Sequence, residues 1–238
     1  MKKIVYGILL SLIGFSLFGQ GGLENIIVEA IPVSAQAIAA DPTLTSNHVT
    51  YRVFADMMPG YKLLNCMALG AGQELKFNTT TLFYNNAGGN YQPNNFLSLP
   101  TVNDALYFDS WLTIGTIGDP SVRAQLVPRV EDNDGVVDGY ISVTNSQSLI
   151  FSGETGVAVF NNQTTGSSFS SQIISYENTS GLNGPFASNT VCLGQFTTDG
   201  YFTFDFNLAL LNEATQTQTL VVATQPTNVF QVSSPLLH

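Results

Sequence analysis

The chain has 238 residues, 44% of them hydrophobic, with 17 acidic and seven basic side chains and a formal net charge of −10 at pH 7. An acidic surface of this kind repels phosphate backbones and sets nucleic acid aside as a partner. Two cysteines are too few for a disulfide-built scaffold, and the apolar fraction is ample for a core.

The first residues read as a secretory signal. Lys2 and Lys3 form a positive start, residues 4–18 are mostly apolar, and Gly19, Gln20, Gly21 and Gly22 offer a cleavage point. The apolar run is shorter than the about 20 residues a membrane-spanning helix needs, so an uncleaved anchor is the weaker alternative. No cysteine stands near the cut, which argues against a lipid anchor. Residues 1–20 are therefore assigned to a signal peptide and residues 21–238 to a single domain, with a soft division near 118–138. After cleavage Arg52, Lys62, Lys76, Arg123 and Arg129 face the acidic residues, and no later apolar stretch is long enough to span a membrane. The expected address is extracellular, cell-surface or periplasmic.

Helix is expected only at residues 34–40, stopped by Asp41-Pro42. Strands are expected at 24–32, 49–56, 61–69, 74–84 and 104–117. Within 49–56, Val49, Tyr51, Val53 and Ala55 alternate with Thr50, Arg52 and Phe54. Residues 57–60 read as a turn, Gly70-Ala71-Gly72 as a break and residues 85–90 as an Asn/Gly loop. Further strands are expected at 139–144, 149–151, 156–160, 168–176, 190–197, 201–211 and 220–224, with Thr198-Asp199-Gly200 as a hairpin turn. Many short strands with almost no helix point to an all-β, antiparallel sandwich or jelly-roll-like fold.

Four segments stand in order along the chain: Thr50-Tyr51-Arg52-Val53-Phe54-Ala55-Asp56, Thr79-Thr80-Thr81-Leu82-Phe83-Tyr84-Asn85-Asn86, Phe108-Asp109-Ser110-Trp111-Leu112-Thr113-Ile114-Gly115 and Leu193-Gly194-Gln195-Phe196-Thr197-Thr198-Asp199-Gly200. The series resembles a family of uncharacterised secreted β-rich proteins of Bacteroidota and other environmental bacteria. In that family the unit often precedes a type IX secretion sorting domain. The resemblance implies a secreted fold over about residues 23–230 and carries no chemistry to particular residues. No sorting domain follows before His238, so delivery by that route is not implied for this chain.

The sharpest local motif runs from Glu131 to Gly139. Asp132, Asp134 and Asp138, with Asn133 or Glu131 assisting, supply the closely spaced oxygens that calcium needs, and Gly135 allows the bend. The acid that an EF-hand loop places at its twelfth position is missing, and a solvated acidic turn is the alternative. Cys66 and Cys192 would meet an oxidising compartment, where they either pair or remain as two buried thiols. A disulfide across so long an interval would add about 4–5 kcal/mol in the chain-entropy account.

No catalytic constellation is legible. The histidines are His48 and His238, no Gly-x-Ser-x-Gly elbow exists, and no metal-ligand spacing links His to Cys. Glu74, Asp109, Glu154, Glu177 and Asp205 are the loose candidates for a carboxylate pair, each with a solvent-facing strand position as its plain explanation. Tyr84 and Tyr91 flank the 85–90 loop and are the aromatics expected to be exposed and able to stack on a sugar. The function expected is a secreted or cell-surface non-catalytic module for adhesion or for binding glycan, matrix or other surface proteins. A secreted glycoside-type hydrolase using a carboxylate pair, or a filament or coat subunit, is the alternative.

Overall fold

The computed structural model describes residues 20–91, 104–117, 126–128, 140–143, 149–152, 155–161, 165–173, 175–184, 189–224 and 229–231. The leader before residue 20 and the acidic loop with Asp132, Asp134 and Asp138 lie outside these residues, as does Glu154. The described strands are β1 (Leu23–Pro32), β2 (Val49–Met57), β3 (Tyr61–Met67), β4 (Leu75–Thr79), β5 (Trp111–Ile117), β6 (Leu126–Pro128) and β7 (Tyr140–Val143). They continue with β8 (Leu149–Ser152), β9 (Ser168–Ser171), β10 (Ser175–Leu182), β11 (Thr190–Thr198), β12 (Phe202–Asn212), β13 (Thr217–Thr224) and β14 (Val229–Gln231). One short helix, α1 (Ala35–Ala40), follows β1. Ser34 caps it, its side chain accepting from Ala37 N at 3.1 Å, and Asp41 ends it.

The strands form the two sheets of an all-β sandwich. The first has the order β14-β1-β2-β11-β5-β7-β6. In the second, β12 pairs with β3 and then β4 along one edge and with β13 along the other. β10 lies outside β3, β9 outside β4, and β8 outside β10. All of these pairings are antiparallel except β14, which runs parallel to β1.

The core lies between the sheets. Val53 and Ala55 of β2, Leu112 and Ile114 of β5, and Val191, Leu193 and Phe196 of β11 face Leu63, Cys66, Phe77, Tyr176, Phe204, Phe206 and Leu208. Phe196 is its centre, stacked on Phe77 at 4.5 Å and on Phe202 at 4.8 Å between ring centroids. Each such ring contributes about 1.5–3 kcal/mol when taken from water.

The outer face of the first sheet is buried as well. Glu29, Arg52, Gln195 and Trp111 stand opposite one another across β1, β2, β11 and β5, and Arg52 and Gln195 are 0% exposed. Arg52 Nε donates to Gln195 Oε1 at 2.8 Å. Gln195 Nε2 donates to the carbonyls of Tyr107 and Asp109, which fixes the 3-10 turn Asp104–Phe108 over this face. A second apolar cluster of Ile31, Val33, Ala37, Leu44, Tyr84, Ala105 and Phe108 joins α1 to that turn.

Several expectations are corrected. The run 74–84 keeps strand pairing only through Thr79; beyond it, Phe83 makes a single bridge to Thr198. Residues 104–108 and 155–160 are 3-10 turns, not strands, and 168–176 splits into β9 and the start of β10. Thr198-Asp199-Gly200 is not a hairpin: β11 belongs to the first sheet and β12 to the second, so the segment is an arch between them.

Cys66 and Cys192 are both buried free thiols. Cys66 sits in the inter-sheet core, whereas Cys192, between the inward-facing Val191 and Leu193, turns to the opposite face of its sheet. Among the described residues no helix is long and apolar enough to cross a membrane.

Candidate functional site

A cleft of about 510 Å³ opens at one end of the sandwich. Four pieces of chain build it: the segment after α1 with Asp41, Thr43 and His48; residues 81–85 beyond β4; Asp199 of the β11–β12 arch; and Thr165 ahead of β9.

Local chemistry explains why these segments hold their shape. Asp41-Pro42-Thr43 forms a side-chain turn, with Thr43 N and Thr43 Oγ1 donating to Asp41 Oδ1 at 3.0 and 2.7 Å. Tyr84 donates its hydroxyl to Asp41 Oδ2 at 2.7 Å and accepts from Asn86 Nδ2 at 2.8 Å. Partial burial pushes the Asp41 carboxyl up, but the bonds from Thr43 and Tyr84 outweigh it and hold the group below the ordinary carboxylate range. Burial pushes the Tyr84 phenol well up, so it stays a donor. His48 Nδ1 accepts from Thr45 N at 3.1 Å, which leaves the proton of a neutral ring on Nε2. The His48 ring stands edge-on to Tyr84, 6.4 Å between centroids.

The arch is stapled to the segment beyond β4. Thr198 Oγ1 bonds the hydroxyls of Thr79 and Thr81 at 2.7 and 3.0 Å and accepts from Gly200 N. Tyr201 N donates to Thr80 Oγ1 at 2.9 Å. These bonds hold Asp199 at the cleft and leave it exposed, beside Leu82 at 51% exposure. Among the described residues, no Lys or Arg lines the cleft.

The sequence-derived candidates fall in different places. Tyr84 is not exposed: its ring is buried in the second apolar cluster, because its hydroxyl has Asp41 and Asn86 as partners, and only one side reaches the cleft. Tyr91 is half-buried and packs on the inter-sheet core, with Leu112 N donating to its carbonyl at 2.9 Å. The two tyrosines therefore do not form the exposed pair expected. None of Glu74, Asp109, Glu177 and Asp205 lines the cleft. Glu74 pairs with Lys76 at 3.2 Å, and Asp205 lies opposite Lys76 in the β12–β4 register. Asp109 does not face solvent: the Asn/Gly loop wraps its carboxylate, with Asn86 N at 2.8 Å on one oxygen and Asn90 N at 3.2 Å on the other. Among the described residues, no three His, Cys, Asp or Glu side chains gather as a metal cluster.

Asp41, His48 and Asp199 were read at sequence level as a helix stop, a loop histidine and a turn residue. The Asp-Pro-Thr turn signature was the available signal for the first. Nothing local announces the meeting of segments so far apart in the chain. Compared with known proteins, the chain matches no family model, no curated protein and no solved structure.

Proposed function

We propose that this chain is an exported, non-catalytic binding module that holds a neutral, hydroxyl-rich ligand, a glycan, in the cleft between Asp41 and Asp199. The observation that carries the reading is the lining: carboxylates and threonine hydroxyls beside the apolar ledge of Leu82, with no Lys or Arg among the described lining residues. Sugar hydroxyls donate to carboxylates and exchange bonds with threonines, while the C–H face of the ring packs on an apolar side chain. A phosphorylated or otherwise anionic ligand finds no Lys or Arg among the described lining residues and meets two carboxylates. Asp41 favours binding over hydrolysis, since a general acid needs a raised pKa and a free proton, and this carboxyl is held ionised with both oxygens engaged.

The role in adhesion, or in binding matrix or other surface proteins, rests on the export signal of residues 1–20 and on the resemblance to secreted Bacteroidota proteins. Calcium at Asp132, Asp134 and Asp138 is carried with it as a proposal from the loop composition.

A glycan array probed with the mature chain tests the reading. Binding to at least one glycan is expected, weakened about tenfold or more by Asp199→Ala, whose side chain is exposed and supports no core contact. A mature chain that binds no glycan retires the proposal. Repeating the titration with calcium, and with Asp134→Ala, decides the metal: no calcium heat removes it.

A further inference from the structure

The borders of the two sheets differ in kind. β14 and β6 bound the first sheet with three residues each, and β6 carries Pro128; β8 and β9 bound the second with four each. Short edges and edge prolines are the usual guards against strand addition. β13 has neither guard. It runs eight residues, Thr-Gln-Thr-Leu-Val-Val-Ala-Thr, with no charge, proline or glycine. Its register with β12 is unbroken from Asp205↔Thr224 to Asn212↔Thr217, and among the described strands its other edge pairs with none. Its inner face is occupied by the buried Val221, while Leu220 and Val222 stand 54% and 44% exposed on the outer face.

We propose that this edge pairs with β13 of a second copy of the chain, antiparallel, about a two-fold axis that joins the second sheets of the two copies. Charge selects this occupant. A chain of net charge −10 meets its own copy with least repulsion through an uncharged strip, and β13 is one. The nearest acid in the turn before it is Glu213, which a two-fold pairing sends to opposite ends of the shared ladder. Eight residues at about 3.4 Å each separate the two carboxylates by more than a Debye length of about 8–10 Å.

The faces also fix the register. For both copies to keep the same face outward, the axis must pass midway between the two copies of one residue, so that this residue faces its own counterpart. Centred on Val221, it sets Leu220 of one copy opposite Val222 of the other, twice. The exposed apolar side chains then cover one another, and the β-branched residues gain cross-strand partners.

Sedimentation velocity of the mature chain over a wide concentration range tests this. A reversible monomer–dimer equilibrium is expected, shifted to monomer by the double substitution Leu220→Lys, Val222→Lys, with the circular-dichroism spectrum unchanged. A wild-type chain that stays monomeric throughout, or a double variant that dimerises as well as wild type, overturns the proposal. Should the lysine variant fail to fold, a chain carrying Leu220→Cys and Val222→Cys gives the second reading. Oxidation is expected to yield a covalent dimer, and its absence also overturns the pairing.

Discussion

At the scale of single residues, acids carry most of the tension in this molecule. Asp109 lies under the 85–90 loop, where burial pushes its carboxyl well above the ordinary range against the pull of the Asn86, Asn90 and Ser110 amides. Gly89 lies so close to the Asp109 carboxylate that a Cβ there would run into it, which explains a glycine at that position. Asp56 on β2 is the titrating counterpart. Burial first, and then the Glu24 carboxylate, push it up to about 6, against a hydrogen bond with Asn25. An unfolded Asp titrates near about 3.9, so between about 4 and 6 the folded state holds more protons. Stability from this group therefore rises as pH falls through that window and is lost as pH rises through 6. Asp56→Asn should raise the stability at pH 7 by about 1 kcal/mol, after discounting for solvent screening of a half-buried group. The gain should vanish by pH 4, as urea denaturation at the two pH values would read. An equal gain at both would reject the assignment. The sequence showed Asp109 as an acid inside an apolar stretch, a costly position, but not the loop that satisfies it. That loop lies 19 to 23 residues upstream.

At the scale of elements, period-two alternation made most strands legible, because sheets with one face on the core impose it directly. β2 shows why this was incomplete. Thr50, Arg52 and Phe54 share the face opposite the inward-facing Val53 and Ala55, yet all three are buried. Alternation reports which side chains share a face, not whether another layer lies on it. Residues 156–160, apolar and Gly-led, are read as a strand yet lie in the 3-10 turn Thr155–Phe160, where Phe160 is placed by its contacts with Phe83 and Phe196. The bulge in β11 between Cys192 and Gly194 was equally silent, although Gly194 is its mark: a Cβ there would meet the Trp111 carbonyl at 2.9 Å. The buried row of Glu29, Arg52, Gln195 and Trp111 makes Gln195 the joint between guanidinium and overlying turn. Gln195→Leu should cost about 2–4 kcal/mol by leaving those buried groups short of partners. Combined with Arg52→Leu, it should cost less than the two single changes added. Strict additivity in denaturant titrations would show that the two side chains do not act together.

At the scale of the whole molecule, the fold class was legible and the site was not. Composition and strand spacing are sums over the chain, so they survive without knowledge of contacts. The cleft needs Asp41, Phe83 and Asp199 at one end of the sandwich, and that depends on an arch mistaken for a hairpin. The thiols show the same limit, since spacing in sequence is blind to sheet faces. Burial pushes Cys66 up to about 12, against its hydrogen bond with Tyr176, so it is protonated and shielded in the folded state. The native protein should give no fast reaction with a thiol reagent, and two equivalents should react in guanidinium. A two-hydrogen mass deficit in the purified protein would instead show the cysteines paired.

β11 and β12 are the inner strands on which both sheets depend, and each follows in sequence the strands it joins: β2 and β5 for β11, β3 and β4 for β12. β11 binds partners from residue 49 onward, and β12 binds partners from residue 61 onward. A nascent chain therefore cannot join β2 to β5 in the first sheet until synthesis has passed residue 198, nor complete the pairing of β3 and β4 in the second until it has passed residue 212, however long the earlier strands have been waiting. Such late closure makes folding slow, and it keeps the polypeptide threadable while it is being made.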